Sequence, residues 1–196
     1  MAGRPPTVGV LALQGDFREH LAVLRGLGAE ARPVRRPEEL AELDGLVIPG
    51  GESTVIDKLS RAFGVAEPLK AAIADGLPVY GTCAGLIMLA DTVRDRIAGQ
   101  ESFGGLDVVV RRNAFGTQLD SFETDLDVPE LGEKPVHAVF IRAPIVEEVG
   151  PAARSLAELE DGTVVAVEQG SLLGTSFHPE VTGDDRFHRY FLAKLG

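Results

Sequence analysis

The chain has a single cysteine, which excludes an intramolecular disulfide framework and fits a reducing cytoplasm. It has no apolar run near the ~20 residues of a membrane span, so no membrane association is expected. The opening "MAGRPPTVGVLALQGD" lacks the longer apolar stretch and small-residue cleavage site of a signal peptide. Positive charge is also scarce: 19 Lys and Arg stand against 30 Asp and Glu, a net charge of −11. Binding nucleic acid requires clustered Lys and Arg to neutralise phosphates, and the pair Arg111–Arg112 is too local to form such a stripe. Nucleic acid is therefore not an expected partner. Repeats, low-complexity tracts and linkers are lacking as well. What remains is a chain of 196 residues, 44% hydrophobic, long enough for one domain with a sizeable core. The expectation is a single domain over residues 1–196, with 1–6 as a disordered leader.

Apolar runs alternate with helical patterns through the first half. "TVGVLAL" reads as a buried strand and "FREHLAVLRGLG" as an amphipathic helix ending at glycine. "GLVIPGG" is a second strand, followed by "STVIDKLSRAF" with Ser53 or Thr54 as a candidate cap. "EPLKAAIADG" reads as a helix stopped by Gly76, "LPVYGT" as a strand, and "CAGLIMLADTV" as a pattern that continues at helical spacing. Such βαβ units predict an α/β fold of three layers, a mostly parallel sheet with helices on both faces. The second half adds strands at "LDVVVRR", "LDSFETDLDV", "VHAVFIRA", "TVVAVEQG" and "SLLGTSFH", some antiparallel, before a terminal helix "DDRFHRYFLAKLG". In open sheets of this kind sites form beyond the C-terminal strand ends. Gly50–Thr54, Gly81–Gly85 and His178–Glu180 all fall at such ends.

Residue type alone makes Cys83 a small buried hydrophobe. Its setting argues otherwise. "GTCAG" is G-x-C-x-G between a strand and a helix, the cysteine counterpart of the serine nucleophile elbow. A helix start favours an anion and so a thiolate, and the N–H of Ala84 is a candidate oxyanion donor. The base must be one of four histidines. His20 and His188 read as solvated helical residues, and His137 has no acidic neighbour in position to orient it. His178 opens "HPE". Pro179 biases His178 to an extended conformation, and residues two apart in an extended chain point the same way, so Glu180 can hold the imidazole. The pattern points to Cys–His–Glu acyl transfer. In "PGGEST" the bland reading is a capped strand-to-helix turn; the functional one makes Gly51 the second oxyanion donor. Arg142 in "FIRAP" is either an exposed strand-end arginine or a fork for a substrate carboxylate.

Together "GTCAG", "FHPE" and "PGG" resemble class I glutamine amidotransferases. More narrowly, "GVLALQGDFREH", "LVIPGGEST", "YGTCAGLIMLA", "RRNAFGTQLDSFE", "VFIRAP" and "GTSFHPE" resemble the glutaminase subunits of pyridoxal 5′-phosphate synthase. The resemblance implies hydrolysis of L-glutamine to glutamate and ammonia through a thioester on Cys83, with His178 as base then acid and Glu180 orienting it. It implies that glutamine is held at Gly51, Glu52, Ser53, Arg112, Ile141 and Arg142. It further implies a partner, a separate (β/α)₈ synthase subunit, in a large ring complex, with weak activity in its absence and no cofactor or metal on this chain. Thr117 departs from the family, which often has arginine after "FG". Three rivals remain: a glutaminase serving another synthase such as that making imidazole glycerol phosphate, a non-catalytic module on the same fold, and a cysteine peptidase.

Overall fold

The computed structural model describes residues 3–112 and 121–196. Along the chain lie β1 (Thr7–Leu11), α1 (Phe17–Gly26), β2 (Glu30–Val34), β3 (Gly45–Ile48), α2 (Ser53–Ala62) and α3 (Ala66–Ala74). They are followed by β4 (Val79–Thr82), α4 (Ala84–Leu89), β5 (Ala90–Arg94), β6 (Leu106–Arg111), β7 (Ser121–Leu126) and β8 (Val136–Ile141). The last elements are β9 (Ile145–Val149), β10 (Arg154–Glu158), β11 (Val164–Gln169), β12 (Leu172–Thr175) and α5 (Arg186–Leu192).

The main sheet has the order β2-β1-β3-β4-β12-β11-β9-β6-β5, with β10 paired to β11. From β2 to β12 every neighbour is parallel, and the pairings of β11 with β12, β9 and β10 are antiparallel. The predicted mostly parallel sheet with late antiparallel strands is what forms. Successive side chains of a strand point to opposite faces, and this divides the core in two. Leu46, Ile48, Val79 and Leu172 face α2, α3 and α4, where Ile56, Leu69 and Leu86 cover them. Val47, Tyr80 and Leu173 face the other way, onto Leu24 of α1, Phe187 and Phe191 of α5, and Phe140 of β8. Strands buried on both faces read as unbroken apolar runs, which is why β1, β3 and β4 were visible in the sequence.

Several elements depart from expectation. The helix after Cys83 stops at Leu89, because Ala90 turns extended with ψ 137 and "ADTVR" pairs with β6 as a strand. Glu52, rather than Ser53 or Thr54, caps α2: its carboxylate accepts from the Thr54 hydroxyl at 3.0 Å and faces the Thr54 N–H. Of the leader, Arg4 donates to Asp44 at 3.0 Å and the Pro6 carbonyl accepts from Glu30 N–H at 2.9 Å. β7 and β8 form a separate two-stranded ribbon. There His137 is held by Asp125 (2.8 Å) and Glu123 (2.9 Å), acidic neighbours from the paired strand that its own segment does not contain. The expectation that His137 has no acidic partner is therefore corrected. Thr117, with Phe115 and Gly116, lies outside the described residues.

Candidate active site

Strand β4 ends at Thr82, and α4 begins at Ala84, leaving Cys83 as the residue between them. Its backbone has φ 50 and ψ −106. A non-glycine residue in that region costs about 1–3 kcal/mol, so the surroundings must impose it. They do so through close packing on both sides. A Cβ on Gly81 would lie 2.4 Å from the Gly85 carbonyl oxygen, and one on Gly85 would lie 2.0 Å from the Ile48 carbonyl oxygen. The Cys83 N–H is anchored to the Thr175 carbonyl at 2.8 Å. The sulfur sits 3.8 Å from the Ile141 carbonyl and the residue is 5% exposed. As the first residue of α4, Ala84 has an N–H with no intrahelical acceptor.

His178 follows β12 and is tied to the ribbon by its N–H on the Val139 carbonyl (2.9 Å). Its Nδ1 lies 2.7 Å from Glu180 Oε1, with both residues buried. The other ring nitrogen is thereby left for Cys83. Burial by itself lowers the pKa of His178, but its hydrogen bonds with Cys83 and Glu180 outweigh that and push it up to about 10. Asp16 adds a second carboxylate, 3.6 Å from the same Nδ1. Asp16, His178 and Glu180 each offer one ligand atom within 4.8 Å of the others. Because the two buried members are already paired to each other, the cluster is better described as an oriented imidazole than as a metal centre.

A cavity of about 400 Å³ opens over the sulfur. Gly51, Glu52 and Ser53 contribute to its lining, as do Ile141, Arg142, Ala84, Arg112 and His178. Apart from Glu180, which holds His178 from behind, the site residues singled out in the sequence converge on one hollow. Arg112 is 8% exposed and committed to the protein, donating to Gln100 (2.9 Å) and to Glu52 (2.9 Å). Gln100 in turn donates to Ser53 Oγ at 3.0 Å, so these residues form one wall. Arg142 is exposed, with φ 46, and has no hydrogen-bond or ion-pair partner among the described residues. Its guanidinium is the uncommitted cation of the cavity.

Sequence reasoning missed Gln14 and Asp16, which also line the cavity. Gln14 Oε1 accepts from Glu52 N–H at 2.9 Å, and a Cβ on Gly51 (φ 138) would lie 2.3 Å from it. The glycine loop is thus pressed against the β1–α1 turn. The signal was "LQGD" at the end of a parallel strand, where sites form. His20 and His188 also depart from expectation. Both are fully buried instead of solvated, with His20 Nδ1 2.8 Å from His188 Nε2. They occupy the inward faces of α1 and α5, beside Leu24 and between Phe187 and Phe191.

A strained cysteine between a parallel strand and a helix, next to a carboxylate-held histidine, is the arrangement of the class I glutamine amidotransferases. A solved structure described as "Crystal structure of glutamine amidotransferase" superposes with a TM-score of 0.90 at 49% identity, covering 96% of this chain and 98% of that one. A glutamine amidotransferase of Thermotoga maritima shares the fold at 15% identity and TM-score 0.62, covering 98% of this chain and 83% of that one. The chain belongs to the SNO glutamine amidotransferase family, whose model matches residues 10–195. Among curated relatives, "Pyridoxal 5'-phosphate synthase subunit PdxT" of Clavibacter sepedonicus is 73% identical over 190 residues, 97% of this chain and 91% of the relative. The protein of the same name from Leifsonia xyli subsp. xyli is 71% identical over 195 residues, 100% and 98% of the two chains. Among the described residues no helix is long and apolar enough to cross a membrane.

Proposed function

We propose that this chain, acting as one glutaminase domain, hydrolyses L-glutamine to L-glutamate and ammonia and delivers the ammonia to the synthase subunit of a pyridoxal 5′-phosphate synthase. The observation that carries the reading is Cys83 at φ 50 beside a His178 bonded to Glu180, with the sulfur and the imidazole opening on one cavity. The names of the relatives at 71–73% identity support the choice of partner over that of any other glutaminase-dependent synthase.

In this mechanism the proton of the Cys83 thiol rests on His178, whose pKa is raised to about 10, and the sulfur attacks the side-chain amide carbon of glutamine with the imidazolium beside it. The oxygen of the tetrahedral intermediate becomes an anion and accepts hydrogen bonds from the N–H groups of Ala84 and Gly51. The C–N bond then breaks, His178 gives its proton to the departing nitrogen, and ammonia leaves a γ-glutamyl thioester on Cys83. Water attacks that thioester while His178 takes its proton. The C–S bond breaks, the sulfur recovers a proton and glutamate is released. Glu180 stabilises the imidazolium at each stage through Nδ1, as the acidic member of a triad does. Arg142 binds the α-carboxylate of glutamine, while Glu52, Ser53, Ile141 and Arg112 form the cavity walls that fix its orientation.

The partner is a (β/α)₈ synthase subunit, joined with the glutaminase in a ring complex in the cytoplasm. Glutamate release from glutamine, measured with and without that subunit, tests the reading. Low activity alone, a clear gain with partner and loss of both in Cys83→Ala are expected. Equal activity in the two conditions refutes dependence on the partner, and activity retained in Cys83→Ala refutes the mechanism.

A further inference from the structure

The triad leaves one buried acceptor unexplained. Glu180 Oε1 is bonded to His178, but Oε2 is buried with no hydrogen-bond partner among the described residues. The donor nitrogen that faces it is His20 Nε2, at 3.5 Å, and the same nitrogen lies 3.2 Å from Thr82 Oγ1. His20 therefore touches both arms of the site: the carboxylate and the strand residue that immediately precedes Cys83. Its other nitrogen, Nδ1, meets His188 Nε2 at 2.8 Å. Burial holds both imidazoles neutral, lowering His188 to about 4 and His20 well below its ordinary value, with the neighbouring His188 and His178 adding to the shift of His20.

Neutral imidazoles carry one proton each, so only two proton orders are open to this pair. If His20 carried its proton on Nδ1, a bare lone pair would face the Glu180 carboxylate. His188 Nδ1, which is buried without a partner among the described residues, would then carry a stranded N–H. In the opposite order His188 Nε2–H donates to His20 Nδ1, and His20 Nε2–H points at Thr82 and Glu180. Only a lone pair is then unmatched. The second order avoids both the repulsion and the stranded donor.

We propose that His20, held in one tautomer by His188, is a positioning residue that aims the Glu180 carboxylate at His178. The proposal rests on the glutaminase reading and extends the triad by two buried imidazoles. It accounts for the histidine of "LQGDFREH", which the reaction itself leaves idle. The other polar or ionisable groups around this chain of side chains are His178, Asp16 on the far side of His178, Tyr80 of β4 against His188, and Asp185 at the start of α5.

The test uses the complex with its synthase subunit, measuring kcat, KM for glutamine, the pH profile of kcat/KM and thermal stability. His20→Leu removes the donor. His20→Gln keeps a side-chain N–H near the position of Nε2. His20→Leu is expected to lower kcat about tenfold with KM little changed, by analogy with the roughly 10–100-fold losses that follow removal of the partner behind a metal-ligating histidine. The limb of the profile belonging to His178 is expected to move to lower pH, because a loosely held Glu180 raises His178 less. His20→Gln is expected to restore most of both. Wild-type kcat and an unmoved limb in His20→Leu, whatever its melting temperature, would overturn the proposal, as would equal impairment of the two variants. Should His20→Leu fail to fold, His188→Phe frees the tautomer while keeping His20. A shifted limb with lowered kcat then supports the proposal, and an unshifted one overturns it. Cys83→Ala separates the two levels: an inactive wild type, or an active Cys83→Ala, sinks the glutaminase reading itself, whereas an active wild type with an unaffected His20→Leu sinks only the positioning role.

Discussion

Acidification loads a specific stress on the buried histidine pair. His188 is 0% exposed, and loss of solvation pushes its pKa down to about 4 from 6.5. A histidine whose pKa is lowered by folding binds its proton more readily in the unfolded chain. Its share of stability is therefore complete above about pH 6.5 and is lost as the pH falls toward 4. From those two values, going from about pH 7.5 to about pH 5 removes roughly 2 kcal/mol. His20 shifts in the same direction and adds to the loss. His178 acts in the opposite sense: raised to about 10, it contributes stability fully present below 6.5 and lost as the pH rises through 10. Wild-type curves mix these effects. Subtracting the pH dependence of His188→Phe cancels the contribution of His178 and isolates that of His188. Urea unfolding at both pH values, for wild type and variant, gives the four free energies needed. The variant is expected to start below wild type near neutrality, having lost the 2.8 Å bond to His20, and to recover roughly 2 kcal/mol relative to it by about pH 5. Parallel pH dependences for the two proteins would refute the claim that His188 is buried in neutral form.

Other consequences concern the elbow and the substrate. Gly85→Ala places a Cβ 2.0 Å from the Ile48 carbonyl oxygen. Backbone rather than a flexible side chain must yield, so a loss of about 3 kcal/mol in stability is expected by denaturant unfolding; a wild-type midpoint would contradict the packing. Arg142→Ala removes an exposed cation with no partner among the described residues, so its melting temperature is expected to stay near wild type. Losing a charge-assisted pair with the substrate carboxylate, worth about 1.5–3 kcal/mol, is expected to raise KM for glutamine by roughly 10- to 100-fold. An unchanged KM would remove Arg142 from the substrate site.

The sequence exposed those parts of the molecule that rest on local pattern. β1, β3 and β4 are short apolar runs because both sheet faces are covered, and the elbow is written in the glycines at 81 and 85. His178 and Glu180 were readable because two residues suffice to fix their relation. What escaped depends on contacts between distant segments. His137 gains its carboxylates only when β7 pairs with β8. His20 and His188 meet across 168 residues of chain, although each already shared a helix face with buried apolar neighbours. β2 escaped as well, since "EARPV" has only two buried positions and lacks an apolar run. β5 was masked by the apolar continuity of "CAGLIMLADTV", whose helix ends where Ala90 turns extended. Gln14 reaches the glycine loop from another strand end, a relation that only the parallel β1–β3 pairing creates.

Glutaminase chemistry at this site requires a covalent bond between the glutamine side chain and Cys83. Exposing the assembled complex to glutamine, quenching it in acid and mapping the peptides by mass spectrometry reads that bond directly. A γ-glutamyl adduct is expected on the peptide containing Cys83, and it should disappear when a γ-glutamyl diazo-ketone has first alkylated the same sulfur. Steady glutamate release while that peptide remains unmodified, and with full activity surviving the alkylating analogue, would contradict that chemistry.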